Sequence, residues 1–497
     1  MFKHIIKKSI EDAVIKLKIK PVDFVVEHPE NEDFGDYSTN IAMVLSKKLK
    51  KSPMVIAEEI TKNIKIESPI SKIQVEKPGF INFWLEKTSL LSVLERIQNE
   101  KELFGKGNIL KHKKIMVEYT DPNPFKEFHI GHLMSNTIGE SLSRILYFNG
   151  GVVKRACYQG DVGAHTAKAL WGLKKILAQN GKEIENLSRK PLREKIEILG
   201  KGYAYGAEKY LEDNVAKEEI DELNKAIYKK SDKDIMHLYN LGRKWSLDYF
   251  ETIYKKLGTK FDYYFFERAV GEKGLLLVKD YLKKGVFEES AGAIIFKGEK
   301  YGLHTRVFVN KSGLPTYEAK DLGLPILKNE AFKYDLSIVV TGNEIADYFK
   351  VVLKALSIIN PNLEKKTKHI PHGMLRLKEE KMSSRTGKVV TAEGLINRVE
   401  ENIKIKVPDI ETKELTPIVI GAIKYSMLRQ GPGKDIIFDF KTSLSFEGDS
   451  GPYLQYTYAR CNSILRNEKL DKGVTMSYAI NKDEEKILKH IYKFPEV

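Results

Sequence analysis

Cysteine is scarce in this 497-residue chain: Cys157 and Cys461 are the two, and they lie far apart. That excludes a cysteine-rich zinc site and leaves room for at most one disulfide. No uninterrupted apolar run approaches the ~18 residues that a membrane helix needs, which argues against a span. The opening MFKHIIKKSIEDAVIKLKIK lacks a continuous apolar stretch and a small-residue cleavage site, so it is expected to be an amphipathic helix in a cytoplasmic protein. Internal repeats, low-complexity tracts and metal-ligand spacings are also missing. With 42% apolar and 30% charged residues, the composition fits a globular protein of two to four domains. Lysine plus arginine exceed aspartate plus glutamate by 83 − 68 = 15. Such an excess favours a polyanionic partner, nucleic acid first, although solvated lysine-rich surfaces explain the charge equally well.

Residues 1–108 form an expected α+β unit, with a helical start, a helix over about 39–50 and a strand GFINFWL at 79–85; FGKGN, 104–108, is its linker. KKIMVEYT, 113–120, has the β-rich apolar character of a buried strand. Two prolines then keep DPNPFKEF out of a helix. From Leu133 the apolar spacing becomes helical and runs to Asn149-Gly150-Gly151. VVKRACY (152–158), the turn GDVG (160–163) and a helix over 164–177 repeat the strand–helix order. The predicted fold class is therefore α/β, with a Rossmann-like parallel sheet, a helical insertion over about 180–265, further strands at 292–298, 304–309 and 336–342, and a helical region from 410. Ligands of such sheets sit beyond the carboxyl ends of the strands.

FHIGHLMSN, 128–136, falls at that position. A helix amino terminus offers free N–H groups and partial positive charge to a phosphate, and Gly131 lets a bulky ligand approach the backbone. His129 and His132, three apart, can both turn to one phosphate chain as hydrogen-bond donors. Alone, the pair also fits ordinary histidines near a helix cap. A second stretch, EEKMSSRTGKVV at 379–390, gathers Lys381, Arg385 and Lys388 around Ser383 and Ser384. Mobile cations beside small hydroxyls suit a triphosphate and its departing pyrophosphate.

HIGH at 129–132 followed by KMSS at 381–384 resembles the signature pair of class I aminoacyl-tRNA synthetases. VEYTDPNPFKEFHIGHL, GDVG, GLPTYEAKDLG and PGKDIIFDFKTSLSFEGDSGPYLQYTYAR are similar to arginyl-tRNA synthetases across nearly the whole chain. NEDFGDYSTNIAM and GFINFWL resemble that family's N-terminal domain, which touches the tRNA elbow. The resemblance implies arginine–tRNA ligation: ATP-dependent formation of arginyl-adenylate, then transfer to the 3′ end of tRNA(Arg). It also implies that bound tRNA is needed before activation. Catalysis is expected from His129, His132, Lys381 and Lys126, with ATP held by Gly131, both histidines, Lys381, Ser383, Ser384 and Arg385. Arginine is expected to be held by Glu118, Asn123, Tyr317, Asp321 and Asn343. The chemistry agrees, because a permanently charged guanidinium fork is best met by carboxylates and amide oxygens. Two departures from the family pattern stand out: Asp121, where serine is common, and Ser384, where the second lysine of the loop would stand. ATP is expected to bring Mg²⁺ on its phosphates, with no protein-bound metal.

Three domains are expected: 1–108 contacting the tRNA elbow, 109–409 catalytic, and 410–497 as the start of an anticodon-binding bundle, either truncated or unusually reduced. Tyr453, Gln455 and Tyr456 in the last are available for stacking or hydrogen bonding to RNA, although core aromatics on a helix explain them equally well. The remaining expectations are a monomer and no membrane partner. A nucleotidylyltransferase with a small acceptor and an idle tRNA-binding paralogue are the alternatives. The flanks at 1–108 and beyond 410 weigh against the first, and the intact motifs against the second.

Overall fold

The computed structural model describes residues 2–179, 184–378, 390–467 and 480–497. The chain divides into two compact units, Met1–Gly107 with Leu470–Val497, and Asn108–Lys469.

In the first unit, β1 (Val26–Glu27), β2 (Tyr37–Thr39), β3 (Ile70–Glu76) and β4 (Phe80–Leu85) form an antiparallel sheet in the order β1-β2-β4-β3. The amino-terminal helix, Phe2–Lys16, buries Phe2, Ile6, Ile10, Ala13 and Val14, one stripe at helical spacing. Helix Lys482–Lys493 belongs to the same unit and adds Leu488 and Tyr492, four apart, to its core. Its start is fixed by a capping box between Asn481 and Glu484. Tyr37 donates its hydroxyl to Glu496 at 2.8 Å, and Lys489 pairs with Asp36 at 3.2 Å. The stretch expected as one region from 410 to 497 is thus shared between the two units. The apolar pair Leu488 and Tyr492 gives the physical reason, since it completes the first unit's core.

The second unit holds a five-stranded parallel sheet built from β5 (Lys114–Glu118), β6 (Val152–Gln159) and β7 (Tyr263–Phe266). After β7 the chain makes a separate antiparallel sheet of β8 (Glu288–Ser290), β9 (Ala293–Phe296) and β10 (Arg306–Val309). It then returns with β11 (Leu336–Gly342) and β12 (Thr367–His372), giving the order β12-β11-β5-β6-β7. A short parallel pair, β13 (Leu375–Leu377) and β14 (Ile436–Phe438), completes the strands among the described residues. β5 is buried on both faces: Ile115, Met116 and Val117 are each at most 1% exposed, as expected of a strand covered by helices on either side. The chain runs outward from β5 to β7 and comes back on the other side of β5. The point where strand order reverses therefore lies between β5 and β11, the place at which such sheets open a crevice for ligands.

Helices Ile184–Ser188, Leu192–Glu212, Asn214–Lys229 and Lys233–Leu257 make up the insertion between β6 and β7. The expected insertion, ending near 265, overlaps β7, where Tyr263–Phe266 pair with Ala156–Gln159. Among the described residues, no helix is long and apolar enough to cross a membrane.

Candidate active site

A cavity of about 570 Å³ opens at the carboxyl ends of β5 and β11. The loop leaving β5 is strained: Thr120 has φ +82° and Asp121 φ +46°, in the left-handed region that a β-branched threonine rarely enters. Three bonds hold it there. The Thr120 N–H donates to Ser135 Oγ at 2.9 Å, that hydroxyl donates to the Val340 carbonyl at 3.0 Å, and the Tyr158 N–H donates to Asp121 Oδ1 at 2.7 Å. Ser135 thus links the loop after β5, the following helix and β11. Asp121, whose role the sequence left open, ties the loop to β6. Burial, with Glu118 nearby, pushes the Asp121 carboxyl well above its ordinary range.

The loop delivers the chain into helix Ile130–Phe148 with His129 as its cap. His129 Nδ1 accepts the Gly131 N–H at 3.1 Å, and His132 Nδ1 accepts the His129 N–H at 3.3 Å. The two rings stack 3.6 Å apart. Burial, reinforced by Lys126, holds His129 down to about 4; burial, with His129 and Lys126, holds His132 well below the ordinary imidazole range. Both rings are therefore neutral near pH 7. Because each Nδ1 accepts, each proton resides on Nε2, so the pair offers two uncharged N–H donors.

On the other side, helix Tyr317–Ala331 brings Tyr317 and Asp321 to the cavity, four residues apart on one face. Asp321 Oδ2 accepts the Tyr348 hydroxyl at 2.5 Å. Burial pushes Asp321 up to about 7, partly opposed by that hydrogen bond; Glu118 and Glu267 push further up, and Lys320 pulls down. Asn123 lines the same cavity. It leaves no room above Gly160 of the GDVG turn, where a Cβ would lie 2.1 Å from Asn123 Oδ1.

His129, Gly131, His132, Asn123, Tyr317 and Asp321 therefore share one cavity. Three other expected residues are not in the cavity wall. Glu118 is buried in an ion pair with Lys328 at 2.7 Å, both side chains at most 3% exposed. Lys126 lies over the Tyr203 ring at 4.7 Å. Asn343 is exposed at the start of the short 3-10 turn Asn343–Ile345, and its neighbour Glu344 lines the cavity instead. Lys381, Ser383, Ser384 and Arg385 fall outside the described residues. Of the expected RNA contacts, Tyr453 and Tyr456 are exposed on helix Gly451–Asn467, whereas Gln455 Nε2 donates to the Pro417 carbonyl at 2.9 Å.

The residues that sequence reasoning missed are Tyr348, Glu344 and Arg306. Arg306 pairs with Glu318 at 3.8 Å and sits 5.9 Å from the centre of the Tyr348 ring. None belongs to a motif with local spacing; the fold brings Tyr348 onto Asp321 and places Arg306 and Glu344 in the same cavity wall.

Comparison with known proteins places the chain in a family. Residues 94–440 match the family model for tRNA synthetases class I (R), catalytic domain, and residues 2–85 match the arginyl tRNA synthetase N terminal domain. An arginine–tRNA ligase of Treponema denticola is 32% identical, over 96% of this chain and 84% of the relative. One from Clostridium acetobutylicum is 29% identical, over 99% and 86%. The solved arginyl-tRNA synthetase of Thermus thermophilus superposes with a TM-score of 0.79, covering 100% of this chain and 87% of that one at 23% identity, a likeness of fold. The chain accordingly belongs to the arginyl-tRNA synthetase family of class I synthetases, and its activity is that of an arginine–tRNA ligase.

Proposed function

We propose that the cavity between β5 and β11 is where arginine and ATP meet, and that its two ends divide the labour. His129 and His132, as neutral donors through Nε2–H, face the α-phosphate. Gly131 leaves the backbone open to close approach, and the dipole of the helix amino terminus adds positive potential there. Lys126, Lys381 and Arg385 supply the cations for the pyrophosphate, with Ser383 and Ser384 beside them. At the other end Asp321 accepts from the guanidinium, Tyr317 lines it, and Asn123 holds the α-amino group. Glu118 acts from behind, through its pair with Lys328, and Asn343 gives its expected place to Glu344. ATP brings Mg²⁺ on its own phosphates.

In the first step an arginine carboxylate oxygen attacks the α-phosphorus in line and the bond to pyrophosphate breaks, leaving arginyl-adenylate. In the second, a ribose hydroxyl of the terminal adenosine of tRNA(Arg) attacks the arginyl carbonyl and AMP leaves. Neither step needs a nucleophilic side chain; positioning and charge stabilisation carry both. The enzyme works as a cytoplasmic monomer in this reading, with no membrane partner.

One observation carries the proposal: the uncharged Nε2–H pair and Asp321 open onto the same cavity. Single-turnover formation of adenylate, with tRNA present, tests it. Loss of one such donor in His132→Ala lowers the rate ~10²- to 10³-fold. An unchanged rate refutes the assignment. Labelled arginine, with lysine and glutamate as controls, checks the substrate in the same assay.

A further inference from the structure

Asp321 is reached from two directions. Its own helix, Tyr317–Ala331, presents it to the cavity, while Tyr348 approaches from helix Ala346–Ile359, just beyond β11. A lone carboxylate can pivot about its terminal torsion, which is broad, so its oxygens have no fixed direction. At 2.5 Å the Tyr348 hydroxyl removes that freedom by holding Oδ2. The tyrosine is itself confined, with the Arg306 guanidinium 5.9 Å from its ring centre and Arg306 in turn paired with Glu318. Burial, with the charge of Asp321, raises the Tyr348 phenol well above its ordinary range, so the hydroxyl keeps its proton and stays a donor.

We propose that Tyr348 is a positioning residue for amino-acid selection: by donating to Oδ2 of Asp321 it leaves Oδ1 directed at the guanidinium fork. This rests on the reading that Asp321 binds that group. A fork demands direction, whereas the compact ammonium of lysine is satisfied by charge alone. Loss of the tyrosine hydroxyl therefore weakens arginine more than lysine and narrows the discrimination between them. It also removes a donor that favours ionised Asp321, among neighbours that include Glu118 on β5, Asp121 on the loop after it, Glu267 on helix Glu267–Leu282, and Lys320 on the carboxylate's own helix.

The test compares steady-state aminoacylation by the full chain, by Tyr348→Phe and by Asp321→Asn, with ATP and tRNA saturating. In Tyr348→Phe the KM for arginine rises roughly tenfold or more, as for a hydrogen bond to a charged group, while the KM for ATP stays put. The acid limb of kcat/KM for arginine moves to higher pH. Site-specific replacement of Tyr348 by 3-fluorotyrosine, a stronger donor of the same shape, moves that limb to lower pH and serves if the phenylalanine variant does not fold. If Asp321→Asn weakens arginine while both tyrosine replacements leave KM and the acid limb unmoved, the positioning role is overturned and the Asp321 assignment survives. If Asp321→Asn leaves arginine use intact, the assignment itself falls, and this inference with it.

Discussion

His129 and Thr391 face each other across an isolated antiparallel bridge. The Ile130 N–H donates to the Val390 carbonyl at 3.1 Å on one side, and the Ala392 N–H to the Phe128 carbonyl at 2.8 Å on the other. The cap of helix Ile130–Phe148 is thereby joined, backbone to backbone, to the residues that directly follow EEKMSSRTGKV. Two motifs far apart in sequence share this anchor. Thr391 serves twice, because its Oγ also accepts the Gly394 N–H at 3.0 Å as cap of helix Ala392–Lys406.

Thr391→Ala should cost about 1 kcal/mol of stability, the ordinary worth of a lost helix cap. Urea unfolding monitored on the full chain measures it. Because the cap fixes the backbone between Val390 and Ala392, which make the two bridging hydrogen bonds, the adenylation rate should fall as well. A loss of stability with an unchanged rate would show that the anchor is structural only.

The proposed pairing of Asp321 with the guanidinium makes arginine binding depend on pH. Its folded pKa of about 7 lies above the unfolded 3.8, so the native state binds the extra proton. The stability this confers is fully present below 3.8 and is lost as pH rises through 7. With arginine pairing with the ionised form, as proposed, it should protect the protein more at pH 8 than at pH 6 in thermal melts at fixed arginine concentration. In Asp321→Asn that difference should vanish. Equal protection at both pH values in the parent chain would contradict the pairing.

Lys328→Met tests where Glu118 spends its charge. Removing one partner of a buried ion pair strands the other, a loss of roughly 3–5 kcal/mol. The variant should unfold at markedly lower urea concentration. Stability within about 0.5 kcal/mol of the parent would mean that Glu118 is not committed to Lys328 and is available to a ligand.

The elements that carry their own local signal were legible in the sequence. The helix that starts within FHIGHLMSN follows from apolar spacing and a Gly-Gly stop, and the buried β5 from its apolar run. Tyr317 and Asp321 share a face because four residues separate them on a helix. What depended on convergence was not legible. Tyr348 meets a carboxylate 27 positions earlier, and no spacing announces that bond. Asn343 and Glu344 differ by one step in a 3-10 turn, where each residue swings by about a third of a turn, so their directions diverge sharply. Glu118 ends a strand that points at the site, yet its partner Lys328 comes from a helix that the sequence could not place beneath it. Helix Lys482–Lys493 has clear amphipathic spacing, but which core its stripe would enter is a tertiary matter.

A crystal structure with a non-hydrolysable arginyl-adenylate analogue tests the shared cavity most directly. The expected density has the phosphate within hydrogen-bond reach of the His129 and His132 Nε2 atoms, and the guanidinium on Asp321 Oδ1 with Tyr348 still on Oδ2. A guanidinium seated on Glu118 with Lys328 displaced, or a phosphate away from the paired histidines, would contradict it.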